Sequence, residues 1–259
     1  MKKIPAHLLL ALPLVASAAK VEDVEIKSEK LQKTFKCRVV IPDTVPAGTK
    51  MAQFYLLHGA SDKSDAWQSK TAGVVEKIAD DYKRLIVCPT AGPFSWYNSN
   101  NGSEDFILKE VIPFIDARYA TLPDRWIAGN SMGGFGALRL GSGHPELFSA
   151  FAGLSPCITP SKWKTWEIPK AMGKDYASGA FDLFKPAMIE ALKNDKRPRV
   201  VICGKADFFL AENQGALTAC KTAGVELNWR DTEGAHDWTY WTTQLPLVAK
   251  TFTDAAAQK

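Results

Sequence analysis

Histidine is scarce in this chain of 259 residues: four are present, His7, His58, His144 and His236, and they are scattered. No Cys-x-x-Cys pair occurs, and none of the five cysteines shares metal-ligand spacing with a histidine, so the sequence offers no recognisable zinc or iron–sulfur motif. There is no block of like charge. Thirty-two Lys and Arg are interspersed with twenty-eight Asp and Glu, giving a net charge of +4, and no basic run interleaved with aromatics marks a nucleic-acid partner. Internal repeats, heptads and low-complexity tracts are also missing, which excludes solenoids, coiled coils and disordered linkers. What remains is 46% hydrophobic residues in a length that suits one large α/β domain.

The N-terminus is organised differently from the rest. Lys2 and Lys3 precede an apolar stretch, Leu8 to Val15, that ends in the small residues Ala16, Ser17, Ala18 and Ala19. This is the layout of a secretory signal peptide cleaved near Ala18 or Ala19. The apolar stretch is too short to span a bilayer, and no cysteine stands at the cleavage site to take a lipid, so no stable membrane anchor is expected. The reading is a signal peptide over 1–19 and a single domain over 20–259, secreted or periplasmic. Five cysteines (Cys37, Cys88, Cys157, Cys203, Cys220) are an odd number for an oxidising compartment, so at least one stays free or pairs with another molecule. Cys203 with Cys220 is one pairing to check. No oligomeric state follows from the sequence.

Apolar runs bounded by turn residues predict strands over 21–27, 34–41, 53–57, 85–89, 126–130, 150–154, 199–204 and 226–230. Helical periodicity falls over 69–82, 103–119, 134–143, 211–223 and 238–256, and Pro113 should kink or split the second of these. Two early strands followed by β-α alternation describe a mostly parallel sheet with an antiparallel edge and helices on both faces, the α/β-hydrolase arrangement. Residues 155–185, rich in Pro, Lys and Trp with weak periodicity, read as an insertion beyond the carboxyl ends of the strands, a lid or pocket wall.

Chemistry concentrates at Gly129-Asn130-Ser131-Met132-Gly133, a Gly-x-Ser-x-Gly pentad between a strand-like and a helix-like segment. A sharp strand-to-helix turn strains its central residue, so the flanking positions must lack bulk, and Gly129 and Gly133 meet that need. The turn would lift the Ser131 hydroxyl clear of the sheet and leave backbone N–H groups unpaired at a helix N-terminus. A serine hydroxyl needs a base, and the base needs a partner to fix its tautomer. His236 lies after the last predicted strand and before the C-terminal helix, where the order nucleophile, acid, histidine requires it. The acid should end the preceding strand, which points to Asp207, with a helix N-cap as its bland alternative. Asp237 adjoins the histidine but points away from its ring, and Glu212 is a weaker substitute.

A second oxyanion donor should come from the loop after the third strand, where Ala60 N–H joins that of Met132. His58 in that loop reads as a hydrogen-bonding residue that shapes the turn before it reads as a second base. Large aromatics gather in predicted loops and element ends. Trp67, Trp96, Tyr97, Trp163 and Trp238, with His58, are the candidate substrate-binding residues, and ordinary core packing is expected for at least half of the aromatics, Trp126 and Trp241 included.

These residues resemble the esterase D type of α/β-hydrolase, which includes S-formylglutathione hydrolases, tributyrin esterases, the feruloyl and acetylxylan esterases of carbohydrate esterase family 1, and mycolyltransferases. The likeness runs over Leu56 to Trp67, Ser95 to Tyr119, Trp126 to Pro156 and Gly234 to Trp241, and its most specific block is Ala128 to Phe148. It implies Ser131 as nucleophile, Asp207 as acid, His236 as base, and Ala60 and Met132 as oxyanion donors, with no metal or organic cofactor. Asn130 stands where the family more often has Leu or Gly. The resemblance implies a serine carboxylesterase acting on a small ester or acylated carbohydrate, of acetyl or feruloyl type. Transfer of the acyl group to a sugar hydroxyl, an S-formylglutathione hydrolase-like thioesterase, and a non-catalytic carbohydrate-binding protein on the same scaffold are its rivals. The loops 62–68, 91–102 and 155–185 match no one subgroup.

Overall fold

A computed structural model describes residues 19–258. Apart from Ala19, the expected signal peptide lies outside the described residues. The strands are β1 (Lys20–Ser28), β2 (Lys33–Ile41), β3 (Met51–Leu57), β4 (Arg84–Pro89), β5 (Thr121–Asn130), β6 (Ala150–Leu154), β7 (Arg199–Gly204) and β8 (Asn228–Thr232). They form one sheet in the order β1-β2-β4-β3-β5-β6-β7-β8. β1 pairs antiparallel with β2 and β2 antiparallel with β4, and every later pairing is parallel. This is the expected mostly parallel sheet with an antiparallel edge.

The pleat divides the core. Along β3, Tyr55 and Leu57 enter one hydrophobic cluster while Phe54 and Leu56 enter the other. β5 repeats the pattern, with Ile127 on the first face and Trp126 and Ala128 on the second, because successive strand side chains point to opposite faces. A sheet buried on both faces explains why its inner strands read as continuous apolar runs.

Helices cover both faces. The second face takes α1 (Ala66–Lys70), α2 (Val74–Tyr82) and α9 (Trp238–Ala256), whose Trp241, Leu245, Val248, Ala249 and Phe252 recur at helical spacing and are buried. Each large apolar side chain so buried stabilises the fold by about 1.5–3 kcal/mol. The first face takes α3 (Ser103–Asp105), α4 (Ile112–Arg118), α5 (Met132–Gly143), α6 (Ile168–Met172), α7 (Pro186–Leu192) and α8 (Leu210–Thr222).

Two predicted helices are divided. The segment 69–82 breaks between α1 and α2, where Ala72 and Gly73 both take positive φ and the Thr71 hydroxyl donates to Trp67 O. The segment 103–119 passes through a π turn (Phe106–Val111) just before Pro113, which has no N–H to return to the preceding turn. The short helix α6 lies in the weakly periodic segment 155–185, and α7 just beyond it, and neither is among the expected helices. Residues 155–185 pack on the sheet: Cys157, Ile158, Ile168, Met172, Phe181 and Phe184 are buried in the first-face cluster. The Cys203–Cys220 pairing does not form; all five cysteines are free thiols, each buried.

Candidate active site

The carboxyl ends of β5, β7 and β8 converge on one serine. β5 ends at Asn130, and Ser131 holds φ 54°, ψ −117°, a left-handed conformation that a non-glycine residue adopts only under constraint. The glycines beside it make the turn possible. A Cβ on Gly129 would lie 2.4 Å from Gly133 O, and one on Gly133 would lie 2.1 Å from Leu57 O. Ser131 N–H donates to Leu154 O at 2.9 Å, fastening the elbow to β6, and α5 starts at once with Met132.

Asp207 follows β7 in a turn closed by Asp207 N–H to Gly204 O, and its Oδ1 accepts Phe209 N–H at 2.8 Å. Its side chain has no exposed surface. The loop that carries His236 is laced to this turn: Lys205 N–H donates to Thr232 O and Ala206 N–H to Gly234 O. The two loops approach so closely that a Cβ on Gly204 would meet Gly234 O at 2.4 Å. Across this seam His236 Nδ1–H donates to Asp207, 2.9 Å to Oδ2 and 3.1 Å to Oδ1. That bond assigns the lone pair to Nε2, which lies 2.9 Å from Ser131 Oγ and can accept its proton. Hydroxyl, imidazole and carboxylate thus form one chain of hydrogen bonds.

Neither expected oxyanion donor is engaged elsewhere among the described residues: the N–H groups of Ala60 and Met132 have no acceptor. The Ala60 loop is pinned from both sides, Ser61 N–H to Pro93 O at 2.8 Å and Asp62 N–H to Gly59 O at 3.3 Å. Met132 N–H stands at the N-terminus of a twelve-residue helix, where the backbone dipole favours negative charge. Asp237 caps α9 by accepting Tyr240 N–H at 2.8 Å, and Glu212 accepts from Thr159 and Trp163, so neither carboxylate addresses the histidine.

The expected substrate-binding residues need correction. Trp67, Trp96, Tyr97 and His58 are each at most 1% exposed. Their polar atoms are taken: Trp67 Nε1–H donates to Leu57 O, Trp96 Nε1–H to Trp166 O, and the Tyr97 hydroxyl to His58 O. His58 Nδ1 lies 2.8 Å from Gly59 O and Nε2 2.8 Å from Thr90 Oγ1, and burial pushes its pKa down, so the ring stays neutral. Trp67, Tyr97 and His58 brace residues 57–59 from behind, Trp96 holds Trp166, and none of the four offers surface to a ligand. Trp238 is half-buried on the second face against Trp67, and Trp163 is half-buried with its Nε1–H on Glu212.

The rings that touch His236 are different ones: Phe208 at 4.3 Å between centroids, Trp241 at 5.0 Å and Phe209 at 5.1 Å. Trp241, expected as core, is buried and donates to Ser155 Oγ at 3.0 Å, so it is core and site wall at once. Phe208 and Phe209 were not singled out from the sequence, although two aromatics directly after the acid in a loop were a visible signal. A cavity of about 440 Å³ lined by Pro93, Ser95, Glu167 and Lys170 adjoins the oxyanion loop through Pro93. A larger one, about 540 Å³, lies at the amino ends of β7 and β8 between Arg199, Glu226 and Arg230, away from the serine. Among the described residues no three His, Cys, Asp or Glu side chains gather as metal ligands.

Comparison with known proteins identifies the family and the fold. Residues 28–252 match the family model described as "Putative esterase". An acetyl esterase of Caldicellulosiruptor saccharolyticus is 29% identical over 211 residues, 72% of this chain and 77% of that one. Among solved structures, a ferulic acid esterase superposes with a TM-score of 0.77 at 24% identity, covering 91% of this chain and 98% of its own. An S-formylglutathione hydrolase from Staphylococcus aureus superposes with a TM-score of 0.75 at 20% identity, covering 92% and 99%. At such identities the two structures speak for the fold, which is that of the α/β-hydrolases.

Proposed function

This chain belongs to the esterase family whose model spans residues 28–252 and is a carboxylic ester hydrolase, and from that premise we propose that it works through an acyl-enzyme on Ser131. The carrying observation is the continuous chain from Asp207 through His236 to Ser131 Oγ, with both bonds of the imidazole at 2.9 Å. Ser131 attacks the ester carbonyl while His236 Nε2 takes its proton, and Asp207 holds the ring and offsets the charge it gains. The oxygen of the tetrahedral intermediate rests between the N–H groups of Ala60 and Met132. These donors are fixed before the reaction starts, so stabilising the oxyanion requires no reorganisation. His236 then gives its proton to the departing alcohol, and a water activated by the same nitrogen releases the acid. The residues do this without calling on a metal or organic cofactor.

The alcohol is a carbohydrate and the acyl group is of acetyl or feruloyl type. The similar proteins named for acetyl and ferulic acid esters support this reading, as does a site open at Ser131 and walled by aromatics. Ser131→Ala is expected to reduce hydrolysis of p-nitrophenyl acetate by about 10³-fold or more, and to lose labelling by a fluorophosphonate probe that marks the native protein. Activity within tenfold of the native protein would refute the nucleophile. A panel of acetylated xylan, feruloylated sugar and short-chain lipid esters tests the substrate, a lipid preference counting against it.

A further inference from the structure

Phe208 is 49% exposed, one of three large hydrophobic residues so exposed among the described residues, and it is the one that touches the site. Its ring lies against His236 at 4.3 Å and is stacked with Trp166 at 5.9 Å and an interplanar angle of 22°. Trp163 closes the group, 5.9 Å from Phe208 and 5.7 Å from Trp166.

The group is held in place by bonds that its own packing does not require. Trp163 Nε1–H is fixed to Glu212 at 2.7 Å, and the Trp166 carbonyl accepts Trp96 Nε1–H at 2.9 Å. Trp166 and Glu167 both take positive φ, 52° and 57°, so the backbone accepts strain at two successive non-glycine residues where it presents Trp166. An apolar ring left half in water beside a reactive histidine, on rigid supports, is the signature of a contact surface for a ligand.

Which part of the substrate meets it follows from the proton path. Nε2 of His236 must reach the leaving oxygen, so whatever flanks the imidazole on its open side flanks the alcohol half of the ester. Of the three rings on His236, Phe209 and Trp241 are buried and Phe208 alone is open. Resting on the acyl-enzyme reading above, we propose that Phe208 and Trp166 form the subsite for the alcohol and that its ligand is a sugar ring. The electron-rich aromatic faces pack against the C–H face of the pyranose while the ring's hydroxyls stay in water. Phe208 is therefore the residue that sets preference for sugar esters over simple alkyl esters.

The test compares two acetyl esters that share an acyl group, an acetylated methyl β-xylopyranoside and methyl acetate. Phe208→Ala is expected to lose about tenfold more kcat/KM on the sugar ester than on methyl acetate, mostly through KM, with Phe208→Trp recovering the preference and Phe208→Leu failing to. Xylotriose should quench tryptophan fluorescence in Ser131→Ala, and adding Phe208→Ala should abolish the quenching. Equal losses on both esters would mean that Phe208 acts by placing His236, and that overturns the subsite. So does full recovery by leucine, or absence of quenching by xylotriose. Methyl acetate hydrolysis that survives Ser131→Ala would instead strike the acyl-enzyme reading.

Discussion

At the scale of single residues, burial gives two histidines opposite tasks. His236 keeps 14% of its side chain exposed and both ring nitrogens poised between Ser131 and Asp207. His58 is sealed behind the oxyanion loop, where desolvation lowers its pKa and a neutral ring bonds Gly59 O and Thr90. A lowered pKa in the folded state has a consequence for stability. The unfolded chain takes up a proton on His58 as pH falls below about 6.5 and the folded chain resists, so stability is complete above that value and declines toward acid. One proton sets the slope at no more than about 1.4 kcal/mol per pH unit. Thermal unfolding at pH 7.5 and 5.5 should therefore show a smaller difference in His58→Gln than in the native protein, at a lower stability overall. Parallel pH dependences in the two proteins would contradict the burial argument.

At the scale of elements, the site depends on how helices and strands end. Asp207 admits two sequence readings, acid partner or helix N-cap, and the cap reading fails: α8 is capped by Phe209 without a side-chain bond, while Asp207 Oδ1 accepts Phe209 N–H inside the preceding turn and both its oxygens face His236. Asp237, set aside as a partner for the ring, is the N-cap of α9 and fixes the chain one residue past His236. Removing that cap with Asp237→Ala should cost about 1 kcal/mol, a fall in Tm of about 2–4 °C for a chain of this size, read by calorimetry. An unchanged Tm would mean that the packed face of α9 alone holds the helix start. Strand positions and the helix 238–256 were legible because period-two and period-3.6 patterns reach the sequence directly. The π turn before Pro113 and the break at Ala72 were less so: both answer local backbone constraints, a missing N–H and a positive φ, that leave the hydrophobic pattern unbroken.

At the scale of the whole molecule, the cysteines and the export expected from the sequence meet in one measurement. All five thiols are buried and unpaired, and burial raises the pKa of every one, which keeps them protonated and inert. A protein carried through an oxidising compartment would keep them so, because the packing around each thiol shields it from oxidants. The mature protein recovered outside the cytoplasm should begin near Lys20 by intact mass and gain no iodoacetamide label when native and five when unfolded. Retention of the first nineteen residues would refute export, and fewer than five labels would reveal a disulfide.

What this sequence determined alone is what short-range sterics and chain order control. Gly129 and Gly133 announce a turn that no Cβ could enter, Ser131 sits between them, and Asp207 and His236 follow in loops after successive strands. The tertiary structure alone decided which aromatics face water. Trp67, Trp96 and Tyr97 are buried while Phe208 emerges over His236, and no local pattern separates them. The reason is that a loop ring is buried or open according to where distant segments close upon it. Here that closure is made by the turn at Gly204 meeting Gly234 and by Trp166 arriving from a segment some forty residues earlier in the chain.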